Sequence, residues 1–132
     1  MQVFLSYDRN DEKFAKALAE QLEKHGLSVW KAFEEILPGE NMWESVSGAL
    51  KASRAMIVLL SPESLRSETQ QREIEYALGD QKYAGRLFPV QVRPTQGIPW
   101  ILRTFKLLDA KEGAAKIGAS IAEASKMTPS SR

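Results

Sequence analysis

Val3-Phe4-Leu5 is a short apolar run of strand-favouring residues that gives way to the polar stretch Ser6 to Asp11, the pattern of a buried first strand. From Asp11 to His25 the positions Phe14, Ala17, Leu18, Gln21 and Leu22 recur at i, i+3, i+4, i+7 and i+8. Only Gln21 interrupts the apolar stripe, so an amphipathic helix is predicted, capped by Asn10 or Asp11 and ended by Gly26. Leu27 to Trp30 reads as a second strand. Helix signals resume at Trp43, with Val46, Ala49 and Leu50 on one face. The run Ala55 to Leu60 (AMIVLL) is the most apolar in the chain, as expected of a central strand covered on both faces. Ser61-Pro62 stops it. A helix follows from about Glu68 to Leu78, with Ile74, Ala77 and Leu78 as its expected inner face. Arg86 to Val92 is a fourth strand, closed by Arg93-Pro94, and the stretch Thr95 to Trp100 is a loop broken by Gly97 and Pro99. A weaker fifth strand, about Phe105 to Asp109, precedes a last helix from Lys111 to Lys126.

Strands and helices thus alternate with short connections and no internal repeat. The expected fold class is α/β: a flavodoxin-like, three-layer arrangement with a five-stranded parallel sheet in the order 2-1-3-4-5 and helices on both faces. With 132 residues the chain fits one domain, assigned to 1–127, and the Pro/Ser-containing tail 128–132 is expected to be disordered. A formal charge of +1, from 18 basic and 17 acidic residues, argues against a general nucleic-acid binder. No apolar run approaches the roughly 20 residues of a membrane helix, and Gln2 to Leu5 is too short for a signal peptide. The absence of cysteine excludes disulfides and thiolate metal sites. A cytoplasmic protein, or a cytoplasmic piece of a larger one, is the expectation. The single histidine, His25, beside Gly26, is explained by a surface place near a helix C-terminus, and the carboxylates show no metal-ligand spacing.

In a sheet of this order, ligands lie beyond the C-terminal ends of the strands where the winding reverses, here between the first and third strands. Tyr7, Asp8, Arg9, Ser61, Ser67 and Glu73 all fall beside that crevice. Other switch-point chemistries fit poorly. A phosphoacceptor receiver needs an Asp where the third strand ends in Leu60-Ser61, and a flavin-phosphate loop needs Ser, Thr or Gly where Tyr7 to Asp11 is charged. Neither GxGxxG nor a P-loop is present.

Taken together, these segments resemble TIR (Toll/interleukin-1 receptor) domains of the bacterial type. Val3-Phe4-Leu5-Ser6-Tyr7 followed by Asp11 is similar to their opening box, and Val29-Trp30 with Leu37-Pro38-Gly39 resembles their second strand and BB loop. Ala49 to Arg54 leading into AMIVLLSPES is similar to the third-strand region, and Glu73-Ile74-Glu75-Tyr76-Ala77-Leu78 to the helix that carries the TIR glutamate. Phe88-Pro89-Val90, Arg93-Pro94 and Ile98 to Arg103 resemble the later boxes.

The resemblance implies two kinds of function. One is cleavage of NAD⁺ at the nicotinamide–ribose bond by a glycohydrolase or cyclase, in signalling or defence, active as a homo-oligomer. The other is a non-catalytic adaptor acting through homotypic contacts at the BB loop, here Lys31 to Trp43. NAD⁺ is then a substrate, and no resident cofactor, nucleic acid or membrane partner is implied. Glu73 is the implied catalytic residue, because one carboxylate can hold the ribose hydroxyls and stabilise an oxocarbenium-like centre while nicotinamide leaves without acid assistance. Tyr7 and Trp43 offer aromatic faces and Arg9 a partner for the pyrophosphate; Asp8, Lys31 and Ser67 complete the implied binding set. Two departures stand out. Thr69 occupies the place, four residues before the glutamate, where enzymatic members commonly carry a tryptophan, which removes a stacking surface. Lys31-Ala32-Phe33 stands where the BB loop usually has an Asp. Several of these residues also have a plainer role: Glu73, Arg9 and Lys31 as solvated charges, Trp43 as half-buried core, and Ser61 and Ser67 as caps.

Overall fold

The computed structural model describes residues 1–31, 39 and 41–126. Strand β1 (Gln2–Ser6) leads through a 3-10 turn at Arg9–Asp11 into helix α1 (Glu12–Lys24). Strand β2 (Ser28–Lys31), helix α2 (Met42–Ala52), strand β3 (Ala55–Leu60), helix α3 (Glu68–Leu78) and strand β4 (Leu87–Gln91) follow. A four-residue helix α4 (Trp100–Arg103), a two-residue strand β5 (Leu108–Asp109) and helix α5 (Ala114–Lys126) complete the described residues. The five strands form one parallel sheet in the order β2-β1-β3-β4-β5, the expected flavodoxin-like α/β arrangement. The predicted tail and most of the BB loop, residues 32–38 and 40, lie outside the described residues.

Strand periodicity divides the core in two. Val3 and Leu5 of β1, with Ala55, Ile57 and Leu59 of β3, face α1 and α5, meeting Leu18, Leu22, Ile117 and Ile121. Phe4, with Met56, Val58 and Leu60, faces the opposite layer, where Val46 and Leu50 of α2 and Ala77 of α3 cover it. Every residue of β3 is buried, so both of its faces contribute, at roughly 1.5–3 kcal/mol for each large apolar side chain removed from water. Phe4 also stacks on Trp30, its partner in register on β2, at 5.1 Å between ring centres, which makes Trp30 structural.

Several local expectations are corrected. In α1 the buried positions are Ala15, Leu18, Ala19 and Leu22, and Ala17 is exposed. The face is rotated because α1 packs against α5 as well as the sheet: a Cβ on Gly118 would lie 2.8 Å from Gln21 Cβ, so backbone-close contact explains the polar break in the stripe. Gly26 does end the helix region, with φ of +86°. The expected loop before Phe105 is followed by α4, and β5 is only two residues long because Phe105 packs into the core instead of pairing. The last helix starts at Ala114, after a 3-10 turn at Ala110–Glu112 and Gly113 at φ +94°. Among the described residues no helix is long and apolar enough to cross a membrane.

Candidate functional site

The site begins with the way α3 is seated. Ser67 is its N-cap: extended backbone places the hydroxyl oxygen to accept from the Gln70 amide at 3.2 Å. From there Gln70, Glu73 and Ala77, at i, i+3 and i+7, turn towards the sheet. Ala77 is on the face expected to be inward, but Leu78 is 38% exposed and Ile74 only half-buried. Two polar side chains take the inner positions because the ends of β1 and β3 supply hydrogen-bonding groups there. Gln70 Nε2 donates to the carbonyls of Leu59 at 3.0 Å and Ser6 at 3.3 Å.

Ser6 is the last residue of β1. Strand alternation puts it on the face of Phe4, the one that α2 and α3 cover, and its hydroxyl donates to Glu73 Oε1 at 2.6 Å. Glu73 is 4% exposed and makes no ion pair among the described residues. Burial penalises the charged form and lifts its pKa to about 7, while the Ser6 hydrogen bond pulls in the opposite direction. Near neutrality this carboxyl therefore divides between its charged and uncharged states.

Glu73 opens onto a small cavity of about 80 Å³ lined by Leu5, Tyr7, Asp8, Met42, Ser67, Thr69 and Gln70. Four residues picked out in the sequence, Tyr7, Asp8, Ser67 and Glu73, thus meet around one space. Asp8 also caps the 3-10 turn by accepting from the Asn10 amide at 2.9 Å. The other three do not line it. Arg9 is exposed, Lys31 is half-buried with its ammonium 4.0 Å from Glu23, and Trp43 stands 39% exposed on the first turn of α2 rather than in the core. Of the BB loop assigned to Lys31–Trp43, only residues 31, 39 and 41–43 are described. Ser6, Met42 and Gln70 were missed. The alternation of β1 could have found Ser6, and the helix spacing from Glu73 could have found Gln70.

A second polar cluster ties the neighbouring loops together. Asp11 occupies the N-cap position of α1 without capping it; its buried carboxylate instead accepts from Ser61 Oγ at 2.5 Å and from Arg93 Nη2 at 3.1 Å. Arg93 also reaches Glu63, whose carboxyl is held below its usual pKa by a backbone hydrogen bond and then by the guanidinium. Ser61 further accepts from the Ser64 amide, the capping role expected of it. No group of three or more potential metal-ligating side chains occurs among the described residues.

A family model described as TIR domain matches residues 3–123. The chain is 34% identical over 74 residues to NAD(+) hydrolase TcpA of Theionarchaea archaeon (strain DG-70-1), an alignment covering 55% of this chain and 22% of that protein. It is 32% identical over 74 residues to NAD(+) hydrolase PdTIR of Paracoccus denitrificans (strain Pd 1222), covering 55% and 25%. The aligned part is a quarter or less of each of these relatives. The TIR domain of the Toll-related receptor TRR-2 of Hydra magnipapillata superposes with a TM-score of 0.74 at 19% identity, over 92% of this chain and 97% of that one, and shares the fold.

Proposed function

This chain belongs to the TIR-domain family, and on that premise we propose that it cleaves NAD⁺ at the nicotinamide–ribose bond, with Glu73 as the catalytic residue. The observation that carries the reading is a carboxyl group that is 4% exposed, has a pKa of about 7 and lines a cavity at the parting of β1 and β3. The two NAD(+) hydrolases with which it shares about a third of aligned positions support the substrate.

In the proposed reaction the C1′–N bond breaks and its electron pair leaves with nicotinamide, whose ring nitrogen loses its positive charge. Ionised Glu73 holds the ribose hydroxyls and offsets the charge that develops at C1′. Water then adds to C1′ and releases a proton, or an adenine nitrogen closes a cyclic product. Tyr7, Asp8 and Ser67 wall the reacting end. A cavity of about 80 Å³ is small against the roughly 300–1,000 Å³ of typical ligand pockets, so the rest of the dinucleotide extends past it. Arg9, Lys31 and Trp43 are assigned to those outer parts, Arg9 to the pyrophosphate. Association with further TIR domains through residues 31–43 is the proposed activating step.

A second reading is a non-catalytic adaptor working through the same homotypic contacts. Thr69, exposed at the cavity rim where a tryptophan is common in enzymatic members, favours it. The test is NAD⁺ consumption by the domain crowded on beads, beside Glu73→Gln, with products separated by chromatography. Cleavage that disappears in the variant, with its fold intact, supports the hydrolase. No cleavage by the clustered parent protein rejects it in favour of the adaptor.

A further inference from the structure

Gln70 is 2% exposed and lies one turn before Glu73 on the same face of α3. Its amide has a fixed sense. With Nε2 donating to the carbonyls of Leu59 and Ser6, reversal would set the amide oxygen against two carbonyl oxygens. The other arm, Oε1, is buried and has no hydrogen-bond partner among the described residues. Native proteins rarely leave a buried acceptor in this condition. Gln70 also lines the cavity that contains Glu73; Oε1 itself is closed to water there, so a donor would reach it from that space only as the wall beside it opens.

The kind of donor follows from the neighbours. A neutral carbonyl oxygen beside a carboxyl repels anionic groups and accepts from a neutral N–H or O–H. Glu73 is already assigned to the ribose hydroxyls. Side chains three residues apart on a helix begin about 5–6 Å from each other, on the order of one ring's width. On a nicotinamide ring whose ribose meets Glu73, the one polar substituent is the primary carboxamide on C3, meta to the nitrogen that carries the ribose. The adenine amine lies at the far end of the dinucleotide.

We propose that Gln70 Oε1 accepts a hydrogen bond from the carboxamide N–H of nicotinamide, which makes Gln70 the residue that selects a primary carboxamide and sets the rotation of the ring. This rests on the NAD⁺ reading of the same site. It adds a residue that touches the leaving group and discriminates among its analogues.

The test is binding of free nicotinamide and of 3-acetylpyridine, which keeps the ring and the carbonyl but lacks the N–H. Titrations of the parent domain, followed by NMR, should show nicotinamide bound about five- to tenfold more tightly, the worth of one neutral hydrogen bond. In Gln70→Met the ratio should fall to near one. Equal affinities in the parent protein, an unchanged ratio in the variant, or no saturable binding of nicotinamide would each overturn the proposal. Should Gln70→Met fail to fold, the Gln70 side-chain NH₂ signal of the parent protein decides: nicotinamide must move it and 3-acetylpyridine must not. NAD⁺ turnover is scored separately. Cleavage without discrimination removes the role of Gln70 alone, and discrimination without cleavage removes the hydrolase alone.

Discussion

The Ser6 hydroxyl lies 2.6 Å from Glu73 Oε1, across 67 residues of sequence, and donates a hydrogen bond to a carboxyl that is only 4% exposed. It orients the carboxyl and favours its charged form against the cost of burial. Ser6→Ala should therefore push the Glu73 pKa above its present value of about 7. The rising limb of NAD⁺ cleavage against pH, which needs the ionised group, should move to higher pH, with a stability loss of about 1–2 kcal/mol. A pH–rate profile and a urea titration check both. A midpoint that stays in place would mean that Ser6 does not tune Glu73.

The same burial predicts how stability depends on pH. The folded pKa of Glu73, about 7, lies above its ordinary value of 4.5. Between those values the native state keeps a proton that the unfolded chain releases. The stabilisation is fully present below about pH 4.5 and is lost as pH rises through 7, by up to about 3 kcal/mol at pH 8 or above. Glu73→Gln keeps an acceptor for Ser6 and has no proton to lose. Its stability advantage over the parent protein should be small at pH 4.5 and grow towards pH 8. Denaturant midpoints across this range would test it, and a pH-independent difference would contradict the account.

Asp11, with its side chain 1% exposed, should be the sensitive member of the loop cluster. Asp11→Ala strands the Ser61 hydroxyl and the inner contact of Arg93, for an expected loss of about 2–3 kcal/mol. Arg93 is 44% exposed, so Arg93→Ala should cost clearly less than Asp11→Ala. Thermal or urea unfolding of both single variants and the double variant would show whether the two losses overlap, as one network requires. Simple addition would separate them.

Gly118→Ala isolates the contact between α1 and α5. Helix propensity alone would favour alanine by up to about 1 kcal/mol. The new Cβ would meet Gln21 Cβ at 2.8 Å, a strain of about 1–3 kcal/mol that the helices relieve only by moving apart. Net destabilisation is expected in chemical denaturation. A stabilised variant would show that the interface gives way easily.

Much of the frame was legible from periodicity. The bounds of β3 and α3 and the strand order follow from an unbroken apolar run, a serine cap and alternation of elements. What stayed hidden depended on partners remote in sequence. Apolar spacing points Ile74 and Leu78 inward, whereas the inner face of α3 carries Gln70 and Glu73, whose burial makes sense only once the carbonyls and hydroxyl at the strand ends are in place. The rotation of α1 is hidden for the same reason, since it reflects contact with a glycine far along the chain. Glu73 itself was singled out by its place beside the switch point and by family resemblance; Ser6, Met42 and Gln70 emerged from the geometry.

Ser6 has one further consequence. Its carbonyl accepts from Gln70 and its hydroxyl donates to Glu73, and it stands in register with Val58 on the neighbouring strand. Gln70 and Glu73 thus both take part of their aim from this one residue, with Leu59 of β3 holding Gln70 as well, so they shift together when the pairing of β1 with β3 slides or twists. Residues that never approach a ligand, such as Val58 and the helix side chains pressing on it, are then a means of adjusting the carboxyl and the amide in concert. Drift in the hydrophobic interior could alter reactivity while every polar side chain around the cavity stayed the same.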